Sequence, residues 1–176
     1  MSSGFDEAQI HRNWLERLGE KIPGFQGFQD RELRREVDKM QREYLSGEVH
    51  RLKNSVRDQA QRFTDAGQIG ALSLFGRLDR KLDGLSQTFR FCDYGATGFF
   101  DVVKIGEEEL GRLYDFDLSV LGDIASLENE IQGIPSPGDG DPRDALEKSI
   151  EGVSVLEDKW AARRTVISEV VQHLDT

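Results

Sequence analysis

The chain has 176 residues, of which 37% are apolar and 32% charged, and a formal net charge of −10. That length supports one ordinary domain with a real core, and the composition suits long helices with narrow buried seams and wet outer faces. The acidity argues against non-specific nucleic-acid binding, which needs a basic face. The single cysteine, Cys92, rules out an intrachain disulfide and a thiolate zinc site within one chain.

The charge is unevenly spread. Residues 1–90 carry 16 Lys/Arg against 14 Asp/Glu, and residues 91–176 carry 7 against 19, so balances of +2 and −12 make up the total. Either the near-neutral front half pairs with the acidic back half, within or between subunits, or the acidity serves solubility alone. No apolar run approaches the roughly 18 residues that span a bilayer, and no signal-peptide pattern precedes Phe5. The expectation is a cytoplasmic protein with no transmembrane segment, open to peripheral membrane association.

Ala8, His11, Trp14, Leu15, Leu18 and Ile22 follow helical spacing and predict a first helix over 5–21. Trp14 reads as a core or interface anchor, with ligand stacking as the alternative. Pro23-Gly24 stops that helix, and Asp30 is a suitable N-cap for the next. From about 30 to 66 a helix of roughly 35 residues, or ~50 Å, is predicted. Its apolar stripe has a fault: Leu33, Val37, Met40 and Tyr44 lie on one line, and Leu45, Val49, Leu52, Val56, Ala60 and Phe63 on another. At 100° per residue the second line is turned by roughly 120° from the first. Ser46-Gly47 marks the junction, so the helix either kinks there or packs on two different partners; the second reading is preferred, because one glycine costs a helix only about 1 kcal/mol.

Asp65-Ala66-Gly67 reads as a C-cap and turn. Ala71, Phe75, Leu78, Leu82, Leu85, Phe89 and Cys92 then alternate in heptad fashion and predict a helix folding back antiparallel on 45–63. Phe89, Phe91, Tyr94, Phe99 and Phe100 crowd a glycine-containing elbow, either as plugs at a bundle end or as a docking surface. A helix over 107–132 follows, with Leu110, Leu113, Val120, Ile124, Leu127 and Ile131 on one face and three glutamates in its first turn. Residues 133–144, rich in Pro and Gly, read as a linker suited to mobility and proteolysis. In the last helix, over 142–174, Asp141 is the expected cap and Leu146, Val153, Trp160, Ile167 and Leu174 recur every seven residues. Glu157 and Arg164 fall on the companion line, which suggests a half-exposed seam or a register-setting pair.

No constellation states a reaction. His11, His50 and His173 stand on three different predicted helices, without metal-ligand spacing. Asp139-Gly140-Asp141 lacks the other ligands of a calcium loop and reads as a polar turn. Tyr94 to Gly98 is glycine-rich but has no lysine and no preceding strand, so it is a poor phosphate cradle. Arg31, Arg34 and Arg35 could meet phosphates or lipid headgroups, yet interleaved Glu32, Glu36, Asp38 and Glu43 suit a salt-bridged, solvated face. Neither cofactor nor metal is implied.

Two stretches, IPGFQGFQDRELRREVDKMQRE at 22–43 and FCDYGATGFFDVVKIGEEELGRLYDFD at 91–117, carry a resemblance. The chain resembles an uncharacterised bacterial all-helical family with an IPG-aromatic-x-G opening, an RREADK-like helix and a Tyr-Gly…Phe-Asp elbow. The resemblance covers about residues 20–120. It implies an association with stomatin-like (SPFH) membrane-scaffold proteins and transfers no catalytic residue.

The expected fold is therefore all-α, an elongated antiparallel helical bundle of one domain built on a coiled-coil-like hairpin at 30–92. The expected function is a non-enzymatic interaction or scaffold protein that oligomerises or docks on a larger assembly through a protein partner. Phe25, Phe28, Arg31, Arg34, Arg35, Tyr94, Phe99 and Phe100 are its candidate contact residues. Two alternatives stand beside it: a membrane-peripheral stress-response protein binding anionic lipid, and a small enzyme or ligand-binding bundle with a pocket near Tyr94–Asp101.

Overall fold

The computed structural model describes residues 31–91 and 107–172; within these, the side chains at 31–38, 107–111, 114, 164 and 166–172 are not described. The described chain is all-α. It comprises α1 (Arg31–Asp65), a 3-10 turn (Ile69–Ala71), α2 (Leu72–Arg90), α3 (Glu107–Gln132) and α4 (Arg143–Gln172). The expected helix over 5–21 and the elbow beyond Phe91 lie outside the described residues.

The chain divides into two compact units. One is formed by Leu45–Cys92 and Val120–Trp160, the other by Met1–Tyr44, Asp93–Ser119 and Ala161–Thr176. The division on α1 falls at the stripe fault, and α1 passes Ser46-Gly47 without a break. Residues on either side of Tyr44–Leu45 therefore belong to different packing neighbourhoods, in keeping with one helix meeting two sets of partners. The buried line itself differs from the expected one. Gln41 lies four residues before Leu45 and is buried, whereas Met40 and Tyr44 are only half-buried. Gln41 is thus a buried position in its own unit that a search for apolar residues passes over.

Four helical segments make up the first unit. Antiparallel pairing of α1 with α2 follows from contacts whose numbers run in opposite directions: Ser46 with Ser86, Lys53 with Asp83, Arg57 with Asp79, and the Phe63 ring 5.2 Å from Phe75. The turn between them works because helix α1 ends in paired bonds, with Gly67 N–H donating to Thr64 O and Gln68 N–H to Phe63 O. This is the Schellman arrangement, and Gly67 supplies the left-handed residue it needs at φ +69. On the other side, α3 and α4 also run antiparallel, joined by Asp123–Lys159 and Glu130–Lys148. Lys81–Glu157 and the edge-on Phe89–Trp160 pair, with centroids 4.6 Å apart, tie α2 to α4. Gln59 Nε2 donates to the Ile131 carbonyl and ties α1 to α3.

Leu45, Val49, Leu52, Val56 and Phe63 meet Phe75, Leu78, Leu82, Leu85 and Phe89 in the interior, together with Val120, Ile124, Leu127, Ile131 and Leu146, Ile150, Val153, Leu156 and Trp160. Nearly every expected seam residue in this unit is there because heptad-like spacing keeps it on one face. The stretch at 133–144, read from sequence as a linker, carries buried residues near both of its ends. Ile134 and Pro142 are buried, and Asp139 N–H donates to Ser136 O across a turn. Asp141 caps α4 as expected, its Oδ1 accepting from Arg143 N–H at 3.1 Å.

Glycines at 47, 84 and 122 stand inside helices with nothing within 4 Å of an added Cβ, whereas a Cβ at Gly152 would meet Glu130 Oε2 and Leu127 Cδ1 at 3.2 Å. Replacing Gly47, Gly84 or Gly122 by Ala should therefore raise unfolding free energy by up to about 1 kcal/mol each. Gly152→Ala should fail to give that gain, as urea melts of the four variants would show.

Candidate functional site

None of the sequence-predicted contact residues is brought into a described site. Phe25, Phe28, Tyr94, Phe99 and Phe100 lie outside the described residues, as does the suggested pocket near Tyr94–Asp101. Arg31, Arg34 and Arg35 lie within the first five residues of α1, with their side chains outside the description. His50 is exposed on α1, while His11 and His173 are outside the described residues. Among the described residues no group of three or more His, Cys, Asp or Glu side chains is placed to hold a metal ion. Three other features carry polar chemistry.

The first belongs to the unit containing residues up to Tyr44. Arg163 on α4 donates through Nε and Nη2 to the two carboxylate oxygens of Asp117 on α3, both at 2.7 Å. Side chains on both partners are at most 3% exposed. Such two-point, charge-assisted bonding offsets part of the cost of removing two charges from water. Each residue stands on an apolar stripe: Asp117 lies between Leu113 and Val120, and Arg163 lies three residues after Trp160. Gln41, in the same unit, is 1% exposed, and neither end of its amide has a hydrogen-bond partner among the described residues. An amide left so costs about 1–3 kcal/mol. The sequence did carry a signal for the ion pair, namely opposite charges at seam positions of two helices.

The second feature is an open cleft of about 220 Å³ in the other unit, between the α1–α2 turn and the start of α4. Phe63, Ala71 and Pro142 supply its apolar walls, and Gln68, Asp141 and Arg143 its polar ones. Its only cationic side chain among the described residues, Arg143, is held by Asp141 at 3.1 Å, and that same carboxylate caps the helix. The cation and the helix start are thereby neutralised from within, so the geometry offers no net attraction for an anion.

The third feature is a belt formed by Lys53–Asp83, Lys81–Glu157 and Lys159–Asp123 in this same unit, flanked by the interhelical pairs Arg57–Asp79 and Lys148–Glu130. Lys53 is almost wholly buried, its aliphatic stem lying in the seam and its ammonium reaching Asp83. The hydrogen bond from Lys53, and next its positive charge, hold the Asp83 carboxyl below the usual carboxylate range. Asp79 acts likewise on its partner, raising the Arg57 guanidinium through a hydrogen bond and its charge.

The site chemistry thus defines an all-α protein whose described charged clusters join helices to one another. No protein-family model, curated protein or solved structure matches the chain.

Two outcomes follow from these pairs. Asp117→Ala leaves Arg163 charged in a buried place and should cost about 3–5 kcal/mol, while Asp117→Leu with Arg163→Met should cost far less; denaturant melts compare them. A carboxyl with a lowered folded pKa contributes stability that is present above its unfolded value, near ~4, and lost as pH falls through the folded value. Lys53→Met should therefore flatten the loss of stability on the acid side of that value, and the Asp83 side-chain carbon shift should titrate at a higher pH than in the parent.

Proposed function

We propose that the protein is a non-enzymatic helical interaction or scaffold protein, which oligomerises or docks on a larger assembly. One observation carries this reading. Phe89 and Phe91 both stand at the end of α2, and they have opposite fates: Phe89 is fully buried against Trp160, whereas Phe91 is 67% exposed. The Arg90 guanidinium lies 5.5 Å from the Phe91 ring centroid, so the aromatic presents a cation-decorated face. An aromatic plug would be buried. Phe91 instead suits a contact surface, at the point where the chain enters the aromatic elbow containing Tyr94, Phe99 and Phe100. Ile69 and Val155 are also exposed large apolar side chains. Single exposed residues are ordinary on protein surfaces, so the weight rests on the aromatic residue and its place in the sequence.

Light scattering on the full chain at micromolar concentration tests the oligomer arm. The expected mass is at least twice the 19.9 kDa of one chain, returning to a single chain in Phe91→Ser without a change in melting temperature. A strict monomer, identical in both forms, would sink the oligomer arm. Flotation with vesicles of neutral or anionic lipid separates the membrane alternative: binding that needs anionic lipid, without protein assembly, would replace the scaffold reading.

A further inference from the structure

Lys81 and Asp83 are two residues apart on α2, and Glu157 and Lys159 two apart on α4. Positions i and i+2 on a helix are separated by about 200°, so the two side chains leave on opposite flanks. On α2, Lys81 reaches α4 while Asp83 takes Lys53 of α1. On α4, Glu157 takes Lys81 while Lys159 reaches Asp123 of α3. The three pairs therefore form one continuous sequence of contacts, α1 to α2 to α4 to α3, within a single compact unit. Each pair is partly buried, and the Lys81–Glu157 distance is 2.8 Å.

We infer that this belt determines which helices are neighbours and in what register, and that it adds little to stability. The apolar seams cannot do this alone. Leu, Ile, Val and Phe recur at similar spacing on all four segments, so a helix moved by one heptad, or exchanged for another, still sets apolar residues against apolar residues. The belt changes that. A slip of seven residues moves a helix by about 10 Å, which separates every pair it makes and leaves Lys53 buried without its carboxylate. Exchanging α2 and α3 would turn the Glu157 flank of α4 away from Lys81 and its Lys159 flank away from Asp123. The mispaired states are thus raised in free energy, while the native state gains only the small net value of half-exposed ion pairs.

The decisive experiment removes the charges of the belt and of the two flanking pairs while keeping the side-chain sizes: Lys53→Met, Arg57→Met, Lys81→Met, Lys148→Met and Lys159→Met with Asp79→Asn, Asp83→Asn, Asp123→Asn, Glu130→Gln and Glu157→Gln in one chain. The melting midpoint should move by no more than about 5 °C. The amide NMR spectrum should show more than one set of signals, or light scattering more than one mass. A single native set and a single mass would overturn the inference, whatever the melting temperature. Should that variant fail to fold, one pair decides. Lys81→Glu alone should give added signal sets, and Lys81→Glu with Glu157→Lys should restore one. A single native set in Lys81→Glu, or added sets that persist in the charge-swapped variant, would equally overturn it.

Discussion

A helix whose buried face is leucine, valine and phenylalanine is attracted to any similar face, and that attraction has no direction. The unit formed by Leu45–Cys92 and Val120–Trp160 has four such segments. Its interior supplies the drive to pack, and its few polar contacts supply the information about how. Lys53–Asp83, Lys81–Glu157 and Lys159–Asp123 share one property: they link the helices in sequence, and α2 and α4 in the middle use both flanks. The Ser46–Ser86 and Gln59–Ile131 bonds likewise join different helices of this unit.

The other unit handles polarity differently. There the charges lie inside, with Asp117 and Arg163 joined at two points and Gln41 buried as an amide among the described residues. A buried pair is a poor source of net stability and a strong penalty on any state that separates it. Gln41 costs stability where a leucine would not, and it stands where the backward extension of the Leu45–Phe63 line falls.

Much of the architecture was legible because it is periodic. The C-terminal bound of α1 follows from Gly67, and the α1–α2 pairing follows from two stripes of matching spacing. The stripe fault at Tyr44–Leu45 was visible as a change of phase and coincides with the boundary between units. Gln41, Asp117 and Arg163 were missed because a stripe drawn through apolar letters skips polar ones that occupy the same face. Lys53 was missed since a lysine can bury its stem while its charge reaches a partner at the edge, and only tertiary packing decides that. The candidate contact residues Phe25, Phe28, Tyr94, Phe99 and Phe100 sit where the sequence has no regular period, and they lie outside the described residues.

Trp160 carries one more consequence. The chain contains two tryptophans, Trp14 and Trp160, and Trp160 is packed edge-on to Phe89 at the last residue of its unit. Indole emission shifts to the red when water reaches the ring, so a Trp14→Phe chain would hold a built-in optical gauge at the α2–α4 seam. Loosening of that seam by heat, by salt or by a binding partner would be readable as colour, without any label.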